Sequence, residues 1–188
     1  MKFQSQQLTI RPAQVDDAKQ IQQIYTPYIL NTVFNLEETV GTLSYYEQLI
    51  IEAQSHLPFL VAEYEGAVVG FVYVSEISFM LNLVNTCALS IYVAEDTPVR
   101  GVGQSLFTAL ERTLTALGMT QIIANIVATN ERSIRFHEKN GFQLLSTFPQ
   151  AGYKFGQWHD VKWFGKKLIA EPVQSEVLPT ESLSFSIY

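Results

Sequence analysis

Cysteine is almost missing from this chain: Cys87 stands alone in 188 residues. An internal disulfide is therefore excluded, and a reducing, cytoplasmic compartment is expected. Basic residues are also scarce, with 12 Lys and Arg against 18 Asp and Glu and a net charge of −6. That balance argues against nucleic acid as a partner. No apolar run is long enough to span a bilayer, so no membrane partner is expected. The opening residues, 1–12, lack the apolar core of a signal peptide. No internal repeat is visible, and no metal centre is expected. What remains is 47% hydrophobic composition over a length that suits one domain with a sizeable core.

Residues 89–117 carry the strongest local signal. Residues 89–93 form a short apolar run of buried-strand character, and a polar loop follows at 94–99. Then comes Arg100-Gly101-Val102-Gly103, and directly after it Leu106, Phe107, Leu110, Leu114 and Leu117 recur at helical spacing. The glycines sit where strand gives way to helix. There the first N–H groups of a helix lack internal partners and carry partial positive charge. Strand, glycine turn and helix start together make a seat for an anion, most often a phosphate. The dinucleotide fingerprint needs a third glycine where Leu106 stands, and a Walker loop needs Gly-Lys where Gly103-Gln104 stands. Both match poorly. With an acidic chain, an anionic ligand must be held by this local feature and by Arg100.

In chain order, residues 8–11 read as a strand. A helix opened by Asp16 and Asp17 carries Ile21, Ile24, Tyr25 and Tyr28 on one face, and Pro27 is expected to bend or break it. Ser44 with Glu47 suggests a capping box for a second helix. Residues 59–64 and 68–74 read as strands joined in a hairpin at Glu65-Gly66-Ala67. Residues 76–86 are ambiguous. After the long helix, capped at Gly118, come a strand at 121–127, a helix at 130–140, and a strand pair at 143–148 and 158–167. A bend containing Gly152 and Gly156 joins that pair. The order is β-α-α-β-β-β-α-β-α-β-β, an α/β arrangement with a mixed sheet. Residues 1–168 read as one domain and 169–188 as a Pro-, Ser- and Glu-rich tail.

This order, with Arg100-Gly101-Val102-Gly103, resembles the GNAT superfamily of acyl-CoA-dependent N-acetyltransferases. Ile10-Arg11-Pro12-Ala13 with Asp16-Asp17 is similar to the superfamily's opening. Asn130, Ser133 and Asn140-Gly141-Phe142 resemble its second cofactor motif. Residues 133–138 and 152–161 resemble the phosphinothricin and methionine sulfoximine acetyltransferase family more closely still. The resemblance implies a mixed, mostly antiparallel sheet of about seven strands with helices on both faces. It implies acetyl-CoA as donor, lying where the strand at 89–93 splays from the strand at 121–127. The main chain of Ile91, Tyr92 and Val93 would pair with the pantetheine arm. The amides of Arg100, Gly101, Val102, Gly103, Gln104 and Ser105 would take the pyrophosphate. Asn130, Ser133 and His137 would lie beside the cofactor, Asn130 also serving as a helix cap. Arg132, Arg135 and Lys139 would supply charge near the nucleotide. Close relatives pair, so a homodimer is expected.

On the acceptor side the chain departs from the family pattern. Where the family usually places a Glu, five residues before the strand's last Val, this chain has Ala88. The acceptor pocket is expected to involve Phe34, Met80, Leu83, Asn85, Ala88 and Lys154, with the segment 77–84 apolar where relatives are polar. A small primary amine is the expected acceptor, and phosphinothricin itself is not favoured. An amine of pKa near 10.4 adds about 4.6 kcal/mol at pH 7 for its deprotonation, whereas one near 8 adds about 1.4. Candidate proton handlers are Glu76 and His137 as bases and Tyr92 as the acid for the departing thiolate. His159 is a weaker base candidate, and Cys87 reads as a small core residue. A protein that binds acyl-CoA with weakened or lost catalysis is the alternative reading.

Overall fold

The computed structural model of the chain describes residues 8–77 and 85–169. Seven strands form one sheet in the order β1-β2-β3-β4-β5-β7-β6. They are β1 (Thr9–Pro12), β2 (Phe59–Tyr64), β3 (Ala67–Glu76), β4 (Thr86–Val93), β5 (Gln121–Val127), β6 (Gln143–Lys154) and β7 (Gln157–Lys167). Every pairing is antiparallel except that of β4 with β5. The helices are α1 (Ala18–Asn31), α2 (Leu43–His56), α3 (Val102–Ala116) and α4 (Glu131–Lys139), with a single 3-10 turn at Val15–Asp17.

Alternation along the strands supplies two apolar faces, and helices cover both. On one face Leu106, Phe107, Leu110 and Leu114 of α3 meet Val72, Val74, Cys87, Leu89, Ile122 and Ala124, with Ile134 and Phe136 of α4 packed against them. On the other, Ile21, Tyr25, Ile29, Tyr46 and Ile50 of α1 and α2 meet Phe59, Val61 and Phe71. Aromatic side chains concentrate there: the Tyr25 ring lies 4.5 Å from that of Tyr92 and 5.9 Å from that of Phe71, edge-on to both. Such pairs add about 0.5–1.5 kcal/mol each beyond the area they bury. At the start of the chain Arg11 grips Asp17 with two nitrogens and Glu63 with a third, tying β1 to the following turn and to β2.

Three expectations need correction. Pro27 does not end α1, which runs to Asn31. Ile21, Ile24 and Tyr25 before it and Ile29 after it are all buried, so packing on both sides holds the helix through the lost hydrogen bond. The cap of α2 is Thr42, whose hydroxyl accepts the Tyr45 N–H at 3.3 Å; Ser44 already lies in the first turn. Last, β6 extends to Lys154, and its turn is Phe155-Gly156, both at positive φ. Gly152 lies inside the strand because Leu36 crosses it, where a Cβ would come within 2.6 Å of the Leu36 side chain.

Candidate active site

The parallel pairing of β4 with β5 covers three positions only: Thr86 with Gln121, Cys87 with Ile122, and Ala88 with Ile123. From Leu89 to Val93, β4 stays paired to β3 but no longer to β5. The sheet therefore forks at Ala88–Ile123, and residues 91–93 present an edge of main-chain groups without a β5 partner. A peptide-like arm can add to such an edge as a strand does.

At the wide end of the fork stands the start of α3. Gly101 is its N-cap with φ 82°, a left-handed conformation in which a side chain is strained. The first helical hydrogen bond runs from Ser105 N–H to Gly101 O at 2.9 Å. The amides of Val102, Gly103 and Gln104 precede it and lack an intrahelical acceptor. The Ser105 amide is thus engaged within the helix, and its hydroxyl remains. The Gln104 side chain reaches Asn140 Oδ1 at 2.7 Å, joining α3 to the end of α4. Arg100 is exposed.

Across the fork, α4 begins at Asn130, whose Oδ1 accepts the Ser133 N–H at 3.1 Å. Asn130 is a helix cap, as its residue type and position suggested. Arg135 is paired with Glu131 on the exposed side of α4 at 2.9 Å, a contact of small energetic weight. His137 is 3% exposed, its ring edge-on to those of Phe136 and Phe142. Nδ1 lies 2.8 Å from Ser133 O, which makes it the N–H donor and leaves Nε2 unprotonated. Among the described residues that buried Nε2 has no partner. Burial lowers the His137 pKa against the opposing Ser133 carbonyl. The geometry gives His137 a place in the packing of α4, not in an open cleft.

At the narrow end of the fork is a hollow of about 190 Å³ lined by Ser75, Glu76, Ile77, Ala88, Ile123, Asn125 and Trp163. Ser75 pairs with Ala88 and shares its face, whereas Glu76 pairs with Cys87 at the end of β3 and by alternation faces the other side. Cys87 faces the opposite, α3-covered side, and burial pushes its thiol up to about 12. Asn85 lies three residues earlier, in a turn with φ 61°, and its carbonyl accepts N–H bonds from Thr120 and Gln121. It braces the base of the fork. Met80 and Leu83 lie outside the described residues.

Tyr92 points to the α1 side. Its hydroxyl accepts from Asn35 Nδ2 at 3.3 Å and lies 3.5 Å from that of Tyr25. Burial raises its pKa, with the Tyr25 and Asn35 contacts opposing, so it is a weaker acid than a free tyrosine. Tyr28 donates to Val93 O at 2.7 Å.

Asn35 is the residue that sequence reading missed. It is buried; Nδ2 donates to Tyr25 and Oδ1 accepts the Glu37 N–H at 2.6 Å. Its carbonyl accepts from Lys154 Nζ at 2.5 Å. This joins the loop carrying Phe34, itself exposed, to the β6–β7 hairpin at Lys154. Lys154 is fully buried; burial lowers its pKa, while Glu37 and Glu38 work to keep it charged. His159 Nε2 lies 3.2 Å from Lys154 O, and the neighbouring Asp160 carboxylate accepts the Gln150 N–H.

The acetyltransferase (GNAT) domain family matches residues 10–163. The chain belongs to the GNAT acetyltransferases. It is 32% identical over 152 residues to the phosphinothricin N-acetyltransferase of Streptomyces viridochromogenes, covering 81% of this chain and 83% of that one. It is 32% identical over 168 residues to the L-methionine sulfoximine/L-methionine sulfone acetyltransferase of Salmonella typhimurium, covering 86% and 95%. A phosphinothricin acetyltransferase from Sinorhizobium meliloti, solved in complex with AcCoA, superposes with a TM-score of 0.84 at 29% identity, covering 92% of this chain and 97% of that one. The GNAT fold accounts for the seven-stranded sheet, its fork and the helices on both faces. Among the described residues, no helix is long and apolar enough to cross a membrane.

Proposed function

We infer that this GNAT protein moves the acetyl group of acetyl-CoA to the primary amine of a small molecule, amino-acid-like or more apolar, by direct attack on the thioester. One observation carries this reading: the fork beyond Ala88–Ile123 has the open amides of α3 at its wide end and a hollow at its narrow end. In this reading the pantetheine arm adds to the edge that β5 leaves at Ile91, Tyr92 and Val93, where the Val93 carbonyl also accepts from Tyr28. The pyrophosphate meets the amides of Val102, Gly103 and Gln104, flanked by Arg100, Gly101 and the Ser105 hydroxyl. Asn130 and Ser133 border the arm from the start of α4, with His137 supporting them from beneath. The thioester then lies towards the hollow.

The amine nitrogen forms a bond to the acetyl carbon and the carbon–sulfur bond breaks. The nitrogen gives up one proton and the departing sulfur takes one, leaving an amide and a free thiol. Of the three candidate proton handlers, Glu76 alone borders the hollow. Its register with Cys87 turns its carboxylate from the Ala88 face, so in this reading solvent water takes the proton. Tyr92 is half-buried with its hydroxyl against Tyr25 and Asn35, His137 is buried in the packing of α4, and they act through position. Phe34, Lys154 and Ala88, with Met80, Leu83 and Asn85, bound the acceptor side. Residues 1–168 form the catalytic domain and 169–188 a tail. The protein works in the cytoplasm as a homodimer, the exposed Leu144, Leu145, Phe148, Tyr153, Phe155 and Trp158 of β6, its turn and β7 supplying an apolar surface for pairing.

Ala88 favours a second reading, an acyl-CoA-binding protein with weakened or lost catalysis. Release of CoA thiol from acetyl-CoA, followed across a panel of amines, separates the two. The panel includes methionine sulfone, methionine sulfoximine, phosphinothricin and apolar primary amines. Amine-dependent release supports transfer. Tight acetyl-CoA binding without release for any amine, and no rescue by Ala88→Glu, supports the second reading.

A further inference from the structure

Asn125 interrupts a central strand, where branched and aromatic side chains are favoured. Its neighbours Ala124 and Ile126 are buried against α3, while Asn125 itself is exposed. By alternation it shares the face of Ile123, and it lines the hollow with Ala88 and Glu76. Ile123 is the last residue of β5 paired to β4, so Asn125 is the first on this face beyond the fork. On its other side it pairs with Trp163, whose ring lies 5.3 Å from that of Phe148. Among the described residues the Asn125 carboxamide makes no hydrogen bond. A hollow walled by Ile77, Ile123 and Trp163, and lined also by the polar Ser75, Glu76 and Asn125, has the mixed character of a small-ligand site.

We propose that Asn125 binds the acceptor amine, its Oδ1 accepting an N–H bond from the nitrogen that attacks the thioester. This rests on the reading that the fork holds acetyl-CoA. The proton leaving the nitrogen passes to solvent water, and the CoA sulfur takes its proton from solvent. A carboxamide orients an amine but does not ionise. Asn125 therefore holds the nitrogen in place without removing its proton, and it does so with Ala88 at the fork.

The experiment compares wild type with Asn125→Leu, which keeps the shape and removes the acceptor atom, and with Asn125→Asp, which makes it ionisable. The amine panel described above supplies the probes, and acetyl-CoA affinity is measured alongside. For Asn125→Leu, kcat/KM for the amine falls about tenfold or more, while the Kd for acetyl-CoA stays within about twofold. Asn125→Asp raises turnover of amines of pKa near 10.4 relative to those of pKa about 8. If Asn125→Leu does not fold, Asn125→Ala takes its place with the same expectation. Wild-type turnover that Asn125→Leu leaves unchanged overturns the assignment of Asn125 alone. Acetyl-CoA binding by wild type with no amine acetylated overturns it together with the reading it rests on.

Discussion

Ala88 lies opposite Ile123, and this is the last pair that β4 and β5 share. The residue at that point decides what fills the mouth of the fork. A methyl group leaves the hollow open and puts no carboxylate at the fork, so deprotonation of the acceptor falls to solvent.

Ala88→Glu places a carboxylate directly at the fork. General-base catalysis contributes about 10²–10⁴-fold. Turnover of a lysine-like amine at pH 7 is therefore expected to rise by about 10²-fold, with a smaller gain for amines of low pKa. Steady-state kcat/KM across amines of graded pKa checks this. Equal effects at both ends of the series would show that deprotonation is not what position 88 controls.

Asn35→Ala removes hydrogen bonds to Tyr25, Tyr92 and the Glu37 N–H from a buried position. Leaving such groups unpaired costs about 1–3 kcal/mol. A lower urea midpoint is expected, with a raised KM for the amine and an unchanged Kd for acetyl-CoA, since the loop faces the acceptor side. A loss confined to acetyl-CoA binding would place Asn35 on the wrong side of the fork.

The buried, neutral His137 makes stability depend on pH. Burial lowers its folded pKa, so the unfolded chain binds its proton first as pH falls. The contribution is full above the unfolded value near 6.5 and is lost as pH falls from there through the folded value, by up to about 1.4 kcal/mol per pH unit. Urea unfolding between pH 8 and pH 5 measures it. His137→Gln is expected to flatten the slope, and an unchanged slope would assign the pH dependence to other groups.

Patterns that depend on local chemistry were legible in the sequence. The α3 stripe, the glycine-bearing start of that helix, the Asn130 cap and the order of strands and helices all follow from periodicity and capping. Pro27 misled because tertiary contacts on both sides of it override a local preference. Thr42 was passed over for Ser44 because both offer the same hydroxyl, and only the chain path selects between them. The Asn35–Lys154 contact spans 119 positions, and nothing local to either residue announces it. Asn125 left one faint signal, a polar amide in an apolar strand, whose meaning appears only when the fork places it beside Ala88.

The most direct test is a calorimetric titration of acetyl-CoA into wild-type protein and Gly101→Val. Valine is strained at φ 82°, so this change displaces the amides that follow while leaving the hollow intact. One site per chain is expected for wild type, with Kd between about 1 μM and 1 mM, and an affinity lower by about tenfold or more for the variant. Wild-type protein that gives no saturable heat with acetyl-CoA, or a variant that binds it equally well, would contradict the claim that the start of α3 holds the donor.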